Sequence, residues 1–306
     1  SGMRSAGARG TVGSVRAREP DRCGYAVRSG VRLYYESYGD GPQTVVFLPP
    51  WSIVHSRIWK LQVPFLAREN RVVVYDGRGN GRSDRPPGPS AYDDAELIAD
   101  ALAVLDAAGV EDAVVVGYSL GGRVLLALAA AHPDRVSGAV FLAPSVVLDE
   151  RPDPVMARFE DERESYHGWQ RWNAHHWMQD QAGFADFFFG EVFPEPHSTR
   201  QIEEAVGFAL ETDAETLIAT QSPKRRLLSA AEARAAVARL RCPALVVHGD
   251  EDRIVPLSDG VALARGIGCP IEVVTGGGHG VQARHPVWFN NRLRRFLEEV
   301  GSGARP

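Results

Sequence analysis

The most informative stretch of the sequence is residues 113–122, which read AVVVGYSLGG. Four apolar residues precede Gly117, and small and apolar residues follow at helical spacing. This pattern predicts a buried strand that passes into a helix at Ser119. Glycines two residues before and two after Ser119 leave room for a tight turn, which would expose the serine oxygen at the carboxyl end of the strand. We predict that Ser119 is a nucleophile; a serine that only caps the helix is the alternative.

Similar elements extend the chain in both directions. Apolar runs predict strands at 43–48, 71–75, 138–142, 244–247 and 271–274. Apolar spacing predicts helices at 56–68, 91–108, 120–131 and 287–300. Strands that alternate with helices predict an α/β fold with a mostly parallel central sheet and helices on both faces. Alternating residues at 25–29 and 31–38, joined by a Ser29-Gly30 turn, predict an antiparallel hairpin at one edge.

One segment, residues 147–235, lacks the strand–helix alternation and holds eleven of the 26 aromatic residues. We predict that it is an inserted helical cap, whose aromatic side chains form its own core or line an apolar pocket. The candidate pocket residues within it are Trp169, Trp172, Trp177 and Phe188. The predicted organisation is a flexible tail at 1–22, the first part of the core domain at 23–146, the cap at 147–235 and the second part of the core at 236–306.

Composition excludes several classes of protein. The chain has 34 basic and 39 acidic residues, which argues against a broad nucleic-acid-binding face. No apolar run approaches the roughly 18–20 residues that span a bilayer. Three cysteines do not make a disulfide framework or a metal site, and residues 1–3 resemble a cloning scar ahead of a stretch with no secretory signal. We predict a cytoplasmic protein without metal or cofactor, whose partner is a small-molecule substrate; its oligomeric state stays open.

A base and an acid follow two later strands. His279 comes after the predicted strand 271–274, and the acidic residues Asp250, Glu251 and Asp252 come after the strand 244–247. The carboxyl ends of parallel strands meet at one edge of the sheet, so these loops should face the loop of the serine. A serine hydroxyl needs a base to take its proton, and the base needs an acid to orient it. His285 is the weaker candidate for the base.

With this order of serine, acid and histidine, residues 25–300 resemble the α/β-hydrolase fold family. The resemblance is to its serine-nucleophile branch with a helical cap, which includes esterases, lactonases and haloperoxidase-like perhydrolases. It implies that the acid is Asp252, three residues after Gly249, and that His279 is the base. Residues 76–84, DGRGNGRSD, match a family loop that braces the sheet beside the nucleophile.

The same resemblance implies an oxyanion hole made of two backbone N–H groups. One belongs to Leu120, which follows the nucleophile. The other comes from the loop after the strand 43–48, where the family commonly has His-Gly and this chain has Pro49-Pro50-Trp51. Because proline has no N–H, the donor here must be Trp51. His55 and Tyr118, which lie near these loops, complete the predicted pocket residues.

These residues predict a serine hydrolase that cleaves a carboxylic ester or lactone of a small apolar substrate through an acyl-enzyme. Serine-triad relatives that cleave carbon–carbon bonds, thioesters or amides, or that act as perhydrolases, would use the same residues. A small-molecule receptor and an acyltransferase on the same fold are alternatives of another class. The sequence does not identify the substrate.

Overall fold

The computed structural model describes residues 17–303. In this part of the chain eight strands form one sheet in the order β1-β2-β4-β3-β5-β6-β7-β8. The strands are β1 (Arg22–Arg28), β2 (Val31–Tyr38), β3 (Thr44–Leu48), β4 (Arg71–Tyr75), β5 (Ala113–Tyr118), β6 (Val136–Leu142), β7 (Ala244–Gly249) and β8 (Ile271–Val274). β1 and β2 pair antiparallel at one edge and the pairs from β4 to β8 are parallel, so the predicted sheet and edge hairpin are confirmed.

The helices of the described chain lie on both faces of this sheet and above its carboxyl edge. They are α1 (Val63–Leu66), α2 (Asp94–Ala107), α3 (Leu120–Ala131), α4 (Ala174–Val192), α5 (Thr199–Ala209), α6 (Ala214–Gln221), α7 (Ala230–Arg239), α8 (Leu257–Ile267), α9 (Val281–Arg284) and α10 (Pro286–Gly301). Short 3₁₀ helices occupy Ser56–Trp59, Pro89–Tyr92, Pro133–Arg135, Met156–Arg158 and Gly168–Arg171.

Apolar residues on both faces of the central strands make two cores. On one face the strands pack against α2, α3 and α7, and on the other against α1 and α10. β5 is buried along its whole length in the middle of the sheet, which explains its continuous run of valines. This position holds the residue after β5 rigidly at the centre of the carboxyl edge.

The predicted helix at 56–68 is wrong. The segment forms the 3₁₀ helix Ser56–Trp59 and then the single-turn helix α1. Pro64 in the first turn of α1 has no N–H to donate to an earlier turn, so it is accepted only where a helix begins. The proline therefore starts a new turn instead of continuing a long helix.

The segment predicted as a cap contains helices α4, α5 and α6, which form a third core with aromatic side chains. α7 crosses residue 235, the predicted end of the cap. Its buried residues Ala233 and Ala236 pack with the sheet instead of with the aromatic core. Helices α4 to α6 thus pack in the aromatic core, whereas α7 packs against the sheet.

The predicted flexible tail, residues 1–22, lies largely outside the described residues. Residues 1–16 lie outside the described residues, but β1 already begins at Arg22. Asp21 donates its N–H to Ser37 O and accepts a 2.6 Å hydrogen bond from Gly39 N. These bonds fix the entry into β1 against the sheet. No helix within residues 17–303 is long and apolar enough to cross a membrane.

Candidate active site

Ser119 lies in the turn between β5 and α3 with φ 55° and ψ −119°, in the left-handed region that side chains rarely adopt. The flanking glycines make the turn possible. A Cβ on Gly117 would lie 2.4 Å from Gly121 O, and one on Gly121 would lie 2.7 Å from Pro49 O. Ser119 N donates to Leu142 O at 2.9 Å, so the turn is also tied to β6. The serine is therefore held in a strained, partly buried turn between β5 and α3.

His279 and Asp252 meet across the loops after β8 and β7. His279 Nδ1 lies 2.8 Å from Asp252 Oδ2, while Oδ1 accepts hydrogen bonds from Ile254 N at 2.8 Å and Val255 N at 2.9 Å. Burial alone would raise the pKa of the Asp252 carboxyl. The His279 ring and hydrogen bonds from His248, His279 and the Val255 N–H outweigh burial, and they hold this pKa well below its usual range. The carboxylate is therefore ionised and orients the imidazole.

His279 also lies beside the serine turn. Its ring packs at 4.9 Å, centroid to centroid, on the ring of Tyr118, the residue before Ser119. Within residues 17–303 no hydrogen bond joins Ser119 Oγ to His279. Catalytic hydrogen bonds are often long in a protein without substrate and tighten when substrate binds. Because Asp252 takes Nδ1, the nitrogen left for a hydroxyl is Nε2.

The sequence analysis missed His248, the last side chain before Gly249 at the end of β7. Its Nε2 lies 3.1 Å from Asp252 Oδ2 and 3.0 Å from Val255 O. A carbonyl only accepts, so Nε2 carries the proton. The other ring nitrogen, Nδ1, faces Gly260; a Cβ atom added to Gly260 would lie only 2.4 Å from this nitrogen. His248 thus donates a hydrogen bond to Asp252 from a closed site. The sequence pattern that could have identified it is a histidine at the end of an apolar strand.

The cap clamps the loop that carries His279. His279 N donates to Val192 O at 3.1 Å, and Gly278 N donates to Glu195 Oε1 at 2.8 Å. The contact is so close that a Cβ on Gly280 would lie 2.1 Å from Phe193 Cε1. No local pattern identifies Glu195, because its contact with Gly278 depends on the position of the end of α4 in the fold.

Trp51, in the loop after β3, and Leu120, in the serine turn, line the same small cavity. Within the described chain, neither Trp51 N nor Leu120 N donates a hydrogen bond, although most buried N–H groups in proteins do. Pro49-Pro50 is trans, because residues 17–303 contain no cis peptide bond. Such a pair of free donors beside a serine can stabilise an oxyanion.

The loop 76–84 braces this arrangement. Asp76 accepts hydrogen bonds from Ser56 N at 3.0 Å and Arg82 N at 2.9 Å. Arg78 makes two bonds of 2.6 Å to the buried carboxylate of Asp100 on α2. These contacts fix the loop that lies under the Trp51 segment.

The predicted pocket residues fall into three environments. Tyr118 is buried under His279, where burial raises the pKa of its hydroxyl well above the usual range. His55 is buried between the core and the cap, with Nε2 3.3 Å from Glu211 Oε1 and its ring 4.5 Å from Phe208. The cap aromatics form one cluster, in which Trp177 is fully buried and Trp169 lies at the margin; its predicted members are Trp169, Trp172, Trp177 and Phe188.

A small cavity of about 30 Å³ lies beside the Pro49-Pro50-Trp51 loop. None of the six predicted pocket side chains lines it. Its walls include Trp51, Leu120, Thr220 and Arg225. The alternative acids and base lie elsewhere: Asp250 accepts a bond from Gly276 N, Glu251 is exposed, and His285 caps α10. Within residues 17–303 no group of three histidine, cysteine or carboxylate side chains could hold a metal ion.

Comparisons with known proteins agree with this architecture. A family model described as alpha/beta hydrolase fold matches residues 44–286. A protein of Caulobacter segnis named "Putative carbamate hydrolase RutD" is 33% identical over 252 residues, which are 78% of this chain and 86% of that protein. The 2-hydroxymuconate semialdehyde hydrolase of Pseudomonas sp. CF600 is 28% identical over 251 residues, 80% of this chain and 83% of that protein.

Solved structures give the same result. Est816, described as an N-acyl homoserine lactone degrading enzyme, is 29% identical with a TM-score of 0.71 and covers 89% of this chain and 100% of its own. A bromoperoxidase from Bacillus anthracis has a TM-score of 0.74 at 23% identity and covers 90% of this chain and 100% of its own, a likeness of fold.

Proposed function

Because the chain belongs to the alpha/beta hydrolase fold family and is a hydrolase, we propose that it cleaves a carboxylic ester or lactone of a small, largely apolar substrate. Ser119 is the proposed nucleophile, His279 the base and Asp252 the acid. The observation that carries this proposal is the 2.8 Å bond from His279 to a buried, ionised Asp252, next to a serine in a strained turn.

The chemistry follows from these positions. His279 Nε2 takes the proton of Ser119 Oγ, which forms a bond to the substrate carbonyl carbon while the carbonyl electrons move to oxygen. When the tetrahedral intermediate collapses, the alcohol leaves with the proton from His279 and an acyl-serine remains. A water molecule activated by His279 then releases the acid and restores Ser119. Asp252 keeps Nδ1–H engaged throughout and stabilises the positive imidazolium.

The two free N–H groups supply the second half of the proposed mechanism. Trp51 N–H and Leu120 N–H would donate to the oxygen that becomes negative in the intermediate. Leu120 is the first residue of α3, so the positive end of the helix dipole adds to its donor. Removing one such donor in other serine hydrolases costs about 10²–10³ in kcat.

The surroundings support an apolar acyl or alcohol group. The cap residues above Trp51 are tryptophan and phenylalanine, and partly buried Leu120 and Ile254 join the same cluster. The members of this cluster offer apolar contact and carry no charge, while Arg225 is a charged wall of the small cavity beside Trp51. Similar proteins are named a putative carbamate hydrolase and an N-acyl homoserine lactone degrading enzyme, so the test panel includes carbamates and lactones beside esters.

The test is intact-mass analysis after treatment with a small fluorophosphonate. An activated serine attacks phosphorus, fluoride leaves, and one phosphonyl group is added. We expect one adduct on the wild type and on Ser145→Ala, a control in the loop after β6 that bonds to Ser119 O through its backbone N–H only, and none on Ser119→Ala. The Ser119→Ala variant should also lose about 10³–10⁶ in kcat toward 4-nitrophenyl acetate. Full activity in this variant would refute the proposed nucleophile.

A second step separates the alternatives. The wild type is assayed with 4-nitrophenyl esters of two to eight carbons, N-acyl homoserine lactones and a phenyl carbamate, with and without an alcohol acceptor. We expect the highest kcat/KM for an ester or lactone. A carbamate or acyl-transfer preference would replace the proposed reaction and keep Ser119. Binding of the probes without turnover or adduct would favour a receptor.

A further inference from the structure

We propose that Thr220, on helix α6 of the cap, is a positioning residue that sets the place of the oxyanion donor Trp51. This inference rests on the proposed function, because it concerns the N–H group that would stabilise the oxyanion. It adds that the cap, in addition to covering the site, completes the catalytic machinery of the core.

One hydrogen bond joins the two residues. Trp51 Nε1 donates to Thr220 Oγ1 at 2.7 Å, and Thr220 Oγ1 donates to Leu217 O at 2.6 Å. The second bond uses the hydroxyl proton, so the oxygen lone pairs stay directed at the indole. Thr220 is 2% exposed and Trp51 is 6% exposed, so water does not replace either bond easily.

The rest of the indole is held by the same part of the chain. The Trp51 ring lies between four aromatic rings of the cap, at centroid distances of 5.0 to 6.2 Å; they are Trp172, Trp177, Phe184 and Phe188. Packing of this density fixes χ1 and χ2 of a tryptophan. The side chain of the core's oxyanion residue therefore belongs to the core of the cap.

The backbone before Trp51 leaves no substitute donor. Pro49 and Pro50 have no N–H, and each fixes its own φ, so Trp51 N is the first N–H after β3. Only the Cα and Cβ atoms separate this N–H from the ring that the cap holds. A rotation of the ring shifts the backbone beside it, and a misplacement of about 1 Å can cost about 10² in rate.

Leu120 provides the contrast. Its N–H is held by the β5–α3 turn, which the core alone builds. The oxyanion hole would therefore have one donor fixed by the sheet and one fixed by the cap. Loosening the cap contact should weaken stabilisation of the transition state and leave the acid–base pair unchanged.

The experiment is a double-mutant cycle with 4-nitrophenyl acetate and a fluorophosphonate as probes. Thr220→Val removes the acceptor, and Trp51→Phe removes the donor but keeps an aromatic ring. We expect each single variant to lower kcat and the phosphonylation rate about 10- to 100-fold with a small change in KM. The double variant should be no slower than the worse single variant, because both changes delete the same bond.

Three controls isolate the bond. Thr220→Ser keeps the hydroxyl and should retain kcat within about threefold of the wild type. Thr216→Val changes a threonine one turn earlier on the same helix, whose hydroxyl is not the acceptor of the Trp51 indole, and should leave kcat and phosphonylation unchanged. The pH at which kcat/KM is half-maximal should be the same in Thr220→Val and the wild type, because the acid–base pair is intact.

The outcomes separate this inference from the proposed function. If wild-type Ser119 is phosphonylated but Thr220→Val reacts at the wild-type rate, the positioning role is wrong and the function stands. Additive losses in the double variant would likewise show that the two residues act independently. If wild-type Ser119 does not react, the proposed function itself fails.

Discussion

The proposed acid–base pair and the proposed oxyanion loop lie at the same edge of the sheet but are held in different ways. Asp252 and His279 are fixed by directed polar bonds, and the His279 loop also bonds to the cap through its backbone. Trp51 is fixed by aromatic packing and one indole hydrogen bond, both from the cap. The backbone of Ser119 and Leu120, by contrast, is held by the turn between β5 and α3.

This difference separates two kinds of sensitivity. Directed bonds to a buried carboxylate lose much of their value when one partner is removed, because a charge or donor is left unsatisfied. Aromatic packing tolerates conservative changes and responds to volume instead. The rate should therefore depend on the functional groups around Asp252 and His279, and on the volume of the side chains around Trp51.

Among the residues that hold the two regions in place, Asp252→Asn should have the largest effect. The amide keeps the shape of the side chain but removes the charge that orients His279 and stabilises its protonated form. We expect kcat toward 4-nitrophenyl acetate to fall about 10⁴-fold. Steady-state kinetics and a thermal melt, which should show a folded protein, check this expectation. A loss below about tenfold would identify another acid, with Asp250→Asn and Glu251→Gln as the matched controls.

A smaller loss should follow from His248→Leu. The leucine removes the Nε2–H group of His248, which lies between Asp252 Oδ2 and Val255 O. Asp252 then loses one donor and keeps its two backbone donors. We expect kcat to fall about 10- to 100-fold. His248→Gln, whose amide can place an N–H near the Nε2 position, should recover most of the rate. Equal rates for the leucine and glutamine variants would mean that only the volume of the ring matters.

The clamp between the cap and the His279 loop can be tested with a pair of glycines. A methyl on Gly280 would meet Phe193 Cε1 at 2.1 Å, whereas one on Gly190 of α4 meets nothing within 4 Å. We expect Gly280→Ala to lower the free energy of unfolding by about 1–3 kcal/mol and to lower kcat. Gly190→Ala should raise the free energy of unfolding by roughly 0.5–1 kcal/mol and leave kcat unchanged. Denaturant melts give both values, and equal effects would contradict the clamp.

The smallest effect concerns acid stability. The pKa of Asp252 is lowered in the folded protein, so the unfolded chain binds a proton first as the pH falls below about 5. Stability from this group is present above its unfolded pKa, about 3.9, and is lost as the pH falls toward the folded value. We expect the free energy of unfolding of Asp252→Asn to fall less steeply from pH 5 to pH 2 than that of the wild type. Parallel curves would show that Asp252 is not specially stabilised as an anion.

The sequence predicted what local patterns determine. Runs of valine predicted the buried strands, and the spacing of glycines around Ser119 predicted the turn. The prediction of a helix at 56–68 failed because Pro64 interrupts it. The apolar spacing had outweighed this local signal. His248, Glu195 and Thr220 could not be assigned, because each acquires its role from a residue far along the chain.

The most direct test of the account is a crystal structure of the fluorophosphonate adduct. We predict phosphorus on Ser119 Oγ and its double-bonded oxygen about 2.7–3.1 Å from both Trp51 N and Leu120 N, the distances of an oxyanion hole. His279 would remain hydrogen-bonded to Asp252. Phosphorus on another residue would contradict the nucleophile, and an oxygen directed away from Trp51 N would contradict the role of the cap in the oxyanion hole.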